Sequence, residues 1–279
     1  MISAEELQQS LGRTGLSIVD CRFSLLDPAA GRRQYDESHI PGAVYADLER
    51  DLSGAAGPNT GRHPLPDAAD ACRRIGALGI GNDTAVVVYD DAGGGIAGRA
   101  WWLLRWLGHE NARLLDGGFA AWKHRGLAVE TGPAEIVPRQ FKGAPRADLV
   151  LETDEIALDG VTDAPYRLVD AREAARFLGI EEPIDPVAGH IPGAWNMPFA
   201  ENLDASKHWK APGELSATFE KLLGLEREEE WAVMCGSGVT ACHLVIAALT
   251  AGYREPRVYV GSWSEWIRDR ARAVATGPR

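Results

Sequence analysis

Cysteine and methionine are scarce in this chain, which has four cysteines and three methionines among 279 residues. No two cysteines form a Cys-x-x-Cys pair, and no cysteine and histidine stand at the spacing of a zinc site. If Cys235 and Cys242 flank a helical turn, they lie about 10 Å apart, whereas a disulfide spans at most about 7 Å. The sequence therefore predicts neither a disulfide framework nor a metal centre, and a reducing cytoplasm is the simpler location.

The chain also has fewer basic than acidic residues, and it lacks long apolar runs. The chain has 29 Lys and Arg against 40 Asp and Glu, a formal net charge of -11. Such a chain repels phosphate backbones, so we expect no nucleic-acid partner. No apolar run approaches the ~18 residues of a membrane span, and Met1-Ile-Ser-Ala-Glu-Glu lacks the features of a signal peptide. We therefore expect no membrane partner, and an anionic ligand would need a local basic pocket.

What the chain does contain is an internal repeat. Ile18-Val-Asp-Cys-Arg22 and His39-Ile-Pro-Gly-Ala43 return about 150 residues later as Leu168-Val-Asp-Ala-Arg172 and His190-Ile-Pro-Gly-Ala194. Within each copy, short β-branched runs alternate with amphipathic runs of helical length. This alternation predicts an α/β fold of two tandem domains, each a parallel sheet with helices on both faces.

The repeat also gives expected domain boundaries. We predict one domain over residues 1–130, an interdomain linker over 131–150, where Pro and Gly are frequent and helical periodicity is missing, and a second domain over 151–279. Motifs present in both copies are expected to be structural. The His-Ile-Pro-Gly-Ala segments are interpreted as turns whose histidines, His39 and His190, bond to the backbone.

Three features occur in one copy alone, and these are better candidates for chemistry. Cys235 is replaced in the first copy by Asp90 or Asp91, an alternative that the alignment leaves open. Arg176 has no basic counterpart in the first copy. Asp36 corresponds to a valine in the second copy.

Cys235 stands where a predicted strand ends and a predicted helix begins, in Cys235-Gly-Ser-Gly-Val-Thr-Ala-Cys242. The carboxyl end of a parallel strand is where open α/β sheets bind ligands. Two glycines allow the chain to curl, and such a loop points backbone N–H groups inward at a helix N-terminus. A loop of this kind favours a thiolate, or an anionic sulfur attached to it. Cys235 is therefore the candidate nucleophile, and Cys242 is expected in the core.

Two other motifs compete with this interpretation. Gly93-Gly-Gly-Ile-Ala-Gly98 fits the dinucleotide fingerprint G-x-G-x-x-G, but Asp90 and Asp91 precede it, where they would repel a pyrophosphate. The same position in the other copy is the cysteine loop, so these glycines are better explained as its unused counterpart. A cysteine phosphatase would need an arginine six residues after Cys235, and that position is Ala241.

Three stretches besides the cysteine loop match a known pattern: Tyr35-Asp-Glu-Ser-His-Ile-Pro-Gly-Ala43, Gly61-Arg-His-Pro-Leu-Pro66 and Gly261-Ser-Trp-Ser-Glu-Trp266. With these stretches, nearly the whole chain resembles the rhodanese family, the two-domain sulfurtransferases. The loop Cys235–Ala241 is similar to that of the mercaptopyruvate branch, whereas the thiosulfate branch has Arg-Lys in place of Gly236-Ser237.

The resemblance implies two rhodanese-like domains, the first catalytically silent, with the site between them. It implies that Cys235 takes sulfur from a small anionic donor as a persulfide and passes it to a thiol, a thioredoxin-like protein or cyanide, without a metal or organic cofactor. Asp36 and Ser237 would relay a proton, and Arg176, with Arg172, would bind the donor. The persulfide would lie in the loop formed by the five residues that follow Cys235: Gly236, Ser237, Gly238, Val239 and Thr240.

The chain departs from the family at one position that bears on the donor. Mercaptopyruvate enzymes usually have a second arginine after Glu-Pro, but Glu182-Pro183 is followed here by Ile184. The resemblance favours 3-mercaptopyruvate as donor and pyruvate as product, with thiosulfate as the alternative donor. A rhodanese-like carrier module that loads sulfur without turnover is the non-enzymatic alternative.

Overall fold

The computed structural model describes residues 1–279, which divide into two compact units. The first unit comprises Met1–Gly54, Leu65–Arg146 and Ala205–Trp209, and the second comprises Ala55–Pro64, Ala147–Asp204 and Lys210–Arg279. Each unit contains one parallel sheet with helices. The α/β architecture predicted from the alternating runs is therefore confirmed.

The first unit has four strands and five helices. In chain order they are α1 (Ala4–Gln8), β1 (Leu16–Asp20), α2 (Ala30–Glu37), β2 (Ala43–Tyr45), α3 (Ala68–Ala77), β3 (Ala85–Tyr89), α4 (Ala97–Trp106), β4 (Ala112–Leu114) and α5 (Gly118–His124). The strand order in the sheet is β2-β1-β3-β4, and all pairs are parallel.

The second unit repeats this plan with one more strand and with three short 3₁₀ helices. Its strands and helices are β5 (Val150–Leu151), β6 (Arg167–Asp170), α6 (Ala174–Phe177), β7 (Trp195–Asn196), α7 (Pro212–Leu223), β8 (Trp231–Met234), α8 (Ala241–Ala251), β9 (Arg257–Tyr259) and α9 (Ser262–Trp266). The 3₁₀ helices span Ala147–Leu149, Thr153–Glu155 and Phe199–Asn202. The sheet order is β5-β9-β8-β6-β7, again parallel throughout.

Both sheets are covered by buried apolar side chains. Strands β3 and β8 are buried along almost their whole length, as expected for central strands with helices on both faces. Helix α8 is buried almost all round, which explains its Ala, Leu, Val and Ile composition. It ends at Gly252, whose φ of 77° is the left-handed conformation that glycine adopts at helix ends.

The two His-Ile-Pro-Gly-Ala segments are turns whose histidines bind backbone carbonyls. His39 Nδ1 donates to the Tyr35 carbonyl and His190 Nδ1 to the Phe177 carbonyl, each at 2.8 Å. The His39 ring stacks on Tyr35 and the His190 ring on Phe177. The structural role predicted for both histidines is confirmed.

The region predicted as a linker, 131–150, has no helix before Ala147 and no strand before Val150. Backbone hydrogen bonds nevertheless hold it along the first unit: Arg139 N–H bonds to Gly76, Ala144 N–H to Leu107 and Arg146 N–H to Trp106. Its Pro and Gly content excludes regular structure but does not prevent it from packing.

No helix combines the length and the apolar character that crossing a membrane requires. All four cysteines are free thiols. No three or more His, Cys, Asp or Glu side chains are grouped so that they could hold a metal ion.

Candidate active site

Cys235 directly follows β8, a central strand of the second sheet, and the register identifies its counterpart in the first unit. Asp170 pairs with Met234 in the second sheet, and the equivalent Asp20 pairs with Tyr89 in the first. Met234 and Tyr89 are therefore equivalent, so the residue that takes the place of Cys235 is Asp90. This resolves the choice between Asp90 and Asp91 that the sequence left open.

The cysteine loop is anchored by the N-terminus of α9. The Cys235 N–H donates to the Ser262 hydroxyl at 3.1 Å, and this hydroxyl donates to the Tyr259 carbonyl at 2.8 Å. The Trp263 and Ser264 N–H groups donate to the carbonyls of Cys235 and Gly236 at 3.0 and 2.9 Å. Hydrogen bonds to both the N–H and the carbonyl of Cys235 thus fix the direction in which the cysteine loop leaves β8.

Ser262 adopts a backbone conformation that serine rarely takes. Its φ is 53°, and the side chain is fully buried. The equivalent residue in the first unit is Gly118, whose φ is 56°. A non-glycine residue in this region is strained, and strain of this kind concentrates at functional sites. Here serine supplies the hydroxyl that receives the Cys235 N–H, which glycine could not do.

Gly238 gives the loop its curl. Its φ is 74°, and a Cβ atom at this position would lie 2.4 Å from the Val260 carbonyl oxygen. Both the conformation and the close approach require glycine. Beyond it, Cys242 N–H bonds to the Val239 carbonyl and His243 N–H to the Thr240 carbonyl, so the loop runs directly into α8.

The equivalent loop of the first unit shows what such a turn binds. The buried Asp90 carboxylate accepts four backbone hydrogen bonds, each between 2.8 and 2.9 Å, from the N–H groups of Ala92, Gly94, Ile96 and Ala97. Burial raises the pKa of the Asp90 carboxyl, and these four N–H groups oppose that shift. A turn of this type, between a central strand and a helix N-terminus, therefore surrounds an anionic group with N–H donors.

Two side chains reach the cysteine loop from Ala55–Pro64, a segment of the second unit that lies far from Cys235 in the sequence. His63 Nδ1 lies 2.8 Å from the Ser237 hydroxyl oxygen, and both residues are buried. The segment is held at its backbone, because Arg62 N–H donates to the Ser264 hydroxyl at 3.0 Å and Gly61 N–H to Glu265 at 3.2 Å. Arg62 itself forms an ion pair with Asp185.

Arg176 joins the same ion-pair group. Its guanidinium contacts Glu182 at 2.8 Å and Asp185 at 3.0 Å, and both acids are almost completely buried. Burial raises the pKa of Asp185, although the neighbouring Arg62 opposes the shift. For Glu182, hydrogen bonds to Arg176 and to backbone N–H groups outweigh burial and lower its pKa. Two arginines and two acids thus form a balanced cluster.

This cluster faces Gly236, the residue after Cys235. A Cβ atom on Gly236 would lie 2.8 Å from Nη2 of Arg62 and 3.5 and 3.6 Å from Nη2 and Nη1 of Arg176. The absence of a side chain at Gly236 therefore leaves room for two guanidinium groups beside the cysteine.

The sequence-predicted site residues do not all lie together in the structure. Cys235, Ser237 and Arg176 lie together in the second unit with the rest of the loop. Asp36 belongs to the first unit, near the end of α2, where it is half-exposed and paired with Arg32 at 3.1 Å. The predicted proton relay through Asp36 stays a prediction.

Arg172 has its guanidinium engaged within the protein. It bonds to Asp170, Glu182 and the Gly189 carbonyl, and its side chain is 1% exposed. Two of these three contacts have equivalents in the first unit, where Arg22 bonds to Asp20 and to the Ser38 carbonyl. These bonds hold the Arg172 guanidinium within the protein, and its predicted contact with the donor stays a prediction.

Sequence reasoning missed the residues that approach the loop from elsewhere: Arg62, His63, Asp185 and Ser262. Arg62 and His63 do lie in Gly61-Arg-His-Pro-Leu-Pro66, one of the stretches that carried the family resemblance. That resemblance gave no role to either residue, and no sequence signal links this segment to the second unit.

Comparison with known proteins supports the same family. The model of the Rhodanese-like domain matches residues 3–125 and 153–269. A probable 3-mercaptopyruvate sulfurtransferase of Pseudomonas aeruginosa is 48% identical over 99% of this chain and 98% of its own length. A thiosulfate sulfurtransferase of Gallus gallus is 38% identical over 96% of this chain and 93% of its own.

Among solved structures, the chain is similar to SseA from Escherichia coli, described with the 3-mercaptopyruvate sulfotransferases. The TM-score is 0.81 at 32% identity, over 95% of this chain and 99% of that one. The predicted fold class of two rhodanese-like domains is thus confirmed. With both family matches and full-length relatives in agreement, the chain belongs to the rhodanese family.

Proposed function

We propose that this protein is a sulfurtransferase that takes sulfur from 3-mercaptopyruvate as a persulfide on Cys235 and passes it to an acceptor. The observation that carries the proposal is the position of Cys235 at the end of a central strand, in a turn whose counterpart surrounds an anionic group with four N–H donors. The names of two relatives that match nearly the full chain support the reaction class.

The first half-reaction forms the persulfide. The Cys235 thiolate attacks the donor sulfur, an S–S bond forms, and the bond between sulfur and the methylene carbon breaks. The electron pair of the broken bond passes into the enolate of pyruvate. One proton taken up at carbon then gives pyruvate, so that Cys–SH and 3-mercaptopyruvate become Cys–SSH and pyruvate. The anion-binding turn stabilises sulfur as thiolate and as persulfide.

The pair formed by Ser237 and His63 is suited to deliver that proton. The hydroxyl lies two residues after the nucleophile, and the imidazole is within hydrogen-bond distance at 2.8 Å. Proton transfer by a positioned imidazole typically contributes 10²- to 10⁴-fold to a rate. We propose that Ser237 hands the proton to the departing enolate and that His63 replaces it.

The second half-reaction returns the enzyme to its starting state. Cyanide attacks the outer sulfur and leaves as thiocyanate, or a thiol takes that sulfur and becomes a persulfide itself. A small thiol or a thioredoxin-like protein are the acceptors we propose. Because all four cysteines are free, we also propose a reducing, cytoplasmic location.

Thiosulfate is the second candidate donor, and one observation favours it. Its sulfonate end needs cations near the nucleophile, and two arginines flank Gly236. Against it, Asp185 and Glu182 already neutralise these arginines, and Gly236-Ser237 adds no charge. 3-Mercaptopyruvate carries one carboxylate charge, whereas thiosulfate is a dianion and needs more positive charge around it. The balanced cluster of arginines and acids therefore favours 3-mercaptopyruvate.

The test compares both donors and locates the sulfur. With cyanide as acceptor, we expect kcat/KM to be higher for 3-mercaptopyruvate than for thiosulfate. Donor treatment should raise the intact-protein mass by one sulfur atom, which cyanide should remove. Cys235→Ser should lose the mass gain and turnover, whereas Cys242→Ser, in the buried helix α8, should keep both. Loading without repeated turnover would instead indicate a carrier module, and a preference for thiosulfate would overturn the donor.

A further inference from the structure

The first unit contains a cavity that the chemistry proposed for Cys235 does not use. It lies at the amino end of the sheet, where β1, β3 and β4 begin, and has a volume of about 250 Å³. The buried side chains of Ile2 and Val87 form its apolar part. Pockets for drug-sized ligands have volumes of roughly 300–1,000 Å³, so this cavity suits a smaller molecule.

Two arginines, Arg13 and Arg113, line the same cavity, and both are exposed to solvent. Neither guanidinium forms an ion pair or a hydrogen bond within the protein. Other arginines of this unit do so: Arg125 pairs with an acid of α1, and Arg139 pairs with Asp83. In a chain of net charge -11, two unpaired cations in one cavity form a local basic site.

The second unit shows how the fold neutralises one of these positions. Val87 pairs with Arg113 in the first sheet, and its equivalent Ala232 pairs with Arg257 in the second, so the two arginines are equivalent. Arg257 forms an ion pair with Glu155 at 2.6 Å. An arginine at this position can therefore be paired within the protein, but Arg113 is not.

The position of Arg13 differs even more between the units. Arg13 stands as far before Asp20 as Asp163 stands before the equivalent Asp170. Asp163 also lines a cavity, but the charged residues there are all acidic: Glu155, Asp159 and Asp163. The basic cavity therefore belongs to one copy alone. A feature of one copy is a better candidate for binding than a feature that the fold requires in both.

We propose that this cavity of the first unit binds a small organic anion that has one carboxylate and an apolar body. The guanidinium groups of Arg13 and Arg113 donate to the carboxylate, and charge-assisted bonds of this kind are the strong ones in proteins. Ile2 and Val87 contact the apolar body. The site lies outside the cysteine loop, and it does not depend on the proposed function.

The simple alternative is that Arg113 only balances the charge of Glu6. The pKa of Glu6 is lowered, chiefly by hydrogen bonds to Ser3 and to a smaller extent by Arg113. That role explains neither Arg13 nor the apolar part of the cavity. The two roles also differ in what they bind, because only a ligand site distinguishes an anion from a neutral molecule of the same shape.

The experiment measures binding of benzoate and benzamide to the full chain by isothermal titration calorimetry. Both probes have the same ring, but only benzoate has a charge. We expect benzoate to bind saturably with a Kd on the order of 1 mM, which is ordinary for a ligand of about ten heavy atoms. Benzamide should bind at least about 10-fold more weakly, because it forms no charge-assisted bond.

Variants locate the binding. Arg13→Gln/Arg113→Gln should weaken benzoate at least about 10-fold and leave kcat/KM with 3-mercaptopyruvate unchanged. Arg268→Gln/Arg270→Gln is the matched control, because it removes the same charge from two exposed arginines of the second unit that also have no ion pair. Thr14→Trp, which fills the cavity without removing charge, should also prevent binding.

Three results would overturn the inference: no saturable binding of benzoate below about 20 mM, equal affinities for benzoate and benzamide, or equal affinities of the two double variants for benzoate. Binding that survives in Arg13→Gln/Arg113→Gln but is lost in Arg176→Gln would assign the benzoate to the cysteine site and would overturn it too. The proposed function is tested separately, by the donor kinetics.

Discussion

At the scale of residues, the loop around Cys235 depends on side chains that the first unit does not have. Ser262 takes the place of Gly118 and accepts the Cys235 N–H, while Ser237 bonds to His63. In the first unit Asp90 receives four N–H bonds, and no arginine is paired with it. The turns that follow the two central strands therefore differ in the side chains around them, and those differences are the basis of the chemistry proposed for Cys235.

The proton-delivering role proposed for His63 gives a prediction at this scale. His63→Gln should lower kcat with 3-mercaptopyruvate by about 10²-fold, because the enolate would then be protonated by water instead of by a positioned acid. Thiosulfate leaves as sulfite and needs no proton at carbon, so its rate should fall far less. Rates measured with both donors, beside an exposed control such as His124→Gln, check this. An equal loss with both donors would mean that His63 only supports the loop.

The sequence could predict the part of the site that is contiguous in the chain. Cys235, its glycines and the helix start stand in one short stretch, and their position at a strand end predicts an anion site. Arg62 and His63 could not be assigned, because their neighbours in space are Asp185 and Ser237, more than a hundred positions away in sequence. Local patterns carry no information about such packing.

At the scale of elements, Ala55–Pro64 acts as an arm that brings Arg62 and His63 to the cysteine loop. It has no regular secondary structure, so its position depends on the backbone bonds of Gly61 and Arg62 and on close packing. A Cβ on Gly61 would lie 2.5 Å from the Gly261 carbonyl oxygen. The arm therefore has one point where no side chain fits.

Gly61→Ala should displace this arm and lower kcat/KM by at least about 10-fold, since Arg62 and His63 would move away from the loop. The matched control is Gly57→Ala in the same segment, where the nearest atom to a Cβ would be a Thr60 methyl at 3.9 Å. Steady-state kinetics and melting temperature should be measured for both. Wild-type kinetics in Gly61→Ala would show that the arm does not position these side chains.

The turn at His190 gives a prediction of pH dependence. Burial against Phe177 lowers the pKa of His190. The folded protein then binds fewer protons here than the unfolded chain, whose histidines titrate near pH 6.5. This contribution to stability is fully present above about pH 6.5 and is lost as pH falls through the lower folded value.

His190→Gln should flatten that dependence. We expect the difference between urea midpoints at about pH 5 and pH 8 to be smaller in the variant than in the wild type. His124→Gln, exposed on the first unit, should keep the wild-type difference. An unchanged difference in His190→Gln would assign the acid sensitivity to other groups.

At the scale of the whole molecule, the repeat predicted the duplicated sheets. It did not predict that a short segment of each sequence copy belongs to the unit formed mainly by the other copy. Ala55–Pro64, from the first copy, belongs to the second unit. Ala205–Trp209 lies in the corresponding part of the second copy and belongs to the first unit. There His208 and the Trp209 N–H bond to Asp116. Internal similarity reveals a duplication, but it does not reveal which copy a connecting segment packs against.

Moving the thiol to the first unit tests the division of labour between the copies. In Asp90→Cys/Cys235→Ser the nucleophile would occupy the equivalent turn, but with Asp91 next to it and without the arginine cluster. We expect neither a persulfide nor turnover. Asp90→Cys with Cys235 intact should stay active, which would show that the substitution is tolerated. Sulfur transfer by the double variant would mean that the turn alone is sufficient.

The arm also has a consequence for how the protein is made. Arg62 and His63 are synthesised more than 170 residues before Cys235, and at ~5–20 residues per second that interval is roughly 10 to 35 s. During this time the first sheet can form but the arm cannot take its final position, because the cysteine loop and α9, which it contacts, are still untranslated. Ser264, which holds the Arg62 N–H, comes later still. The arm can therefore reach its place beside Cys235 only after α9 has been synthesised.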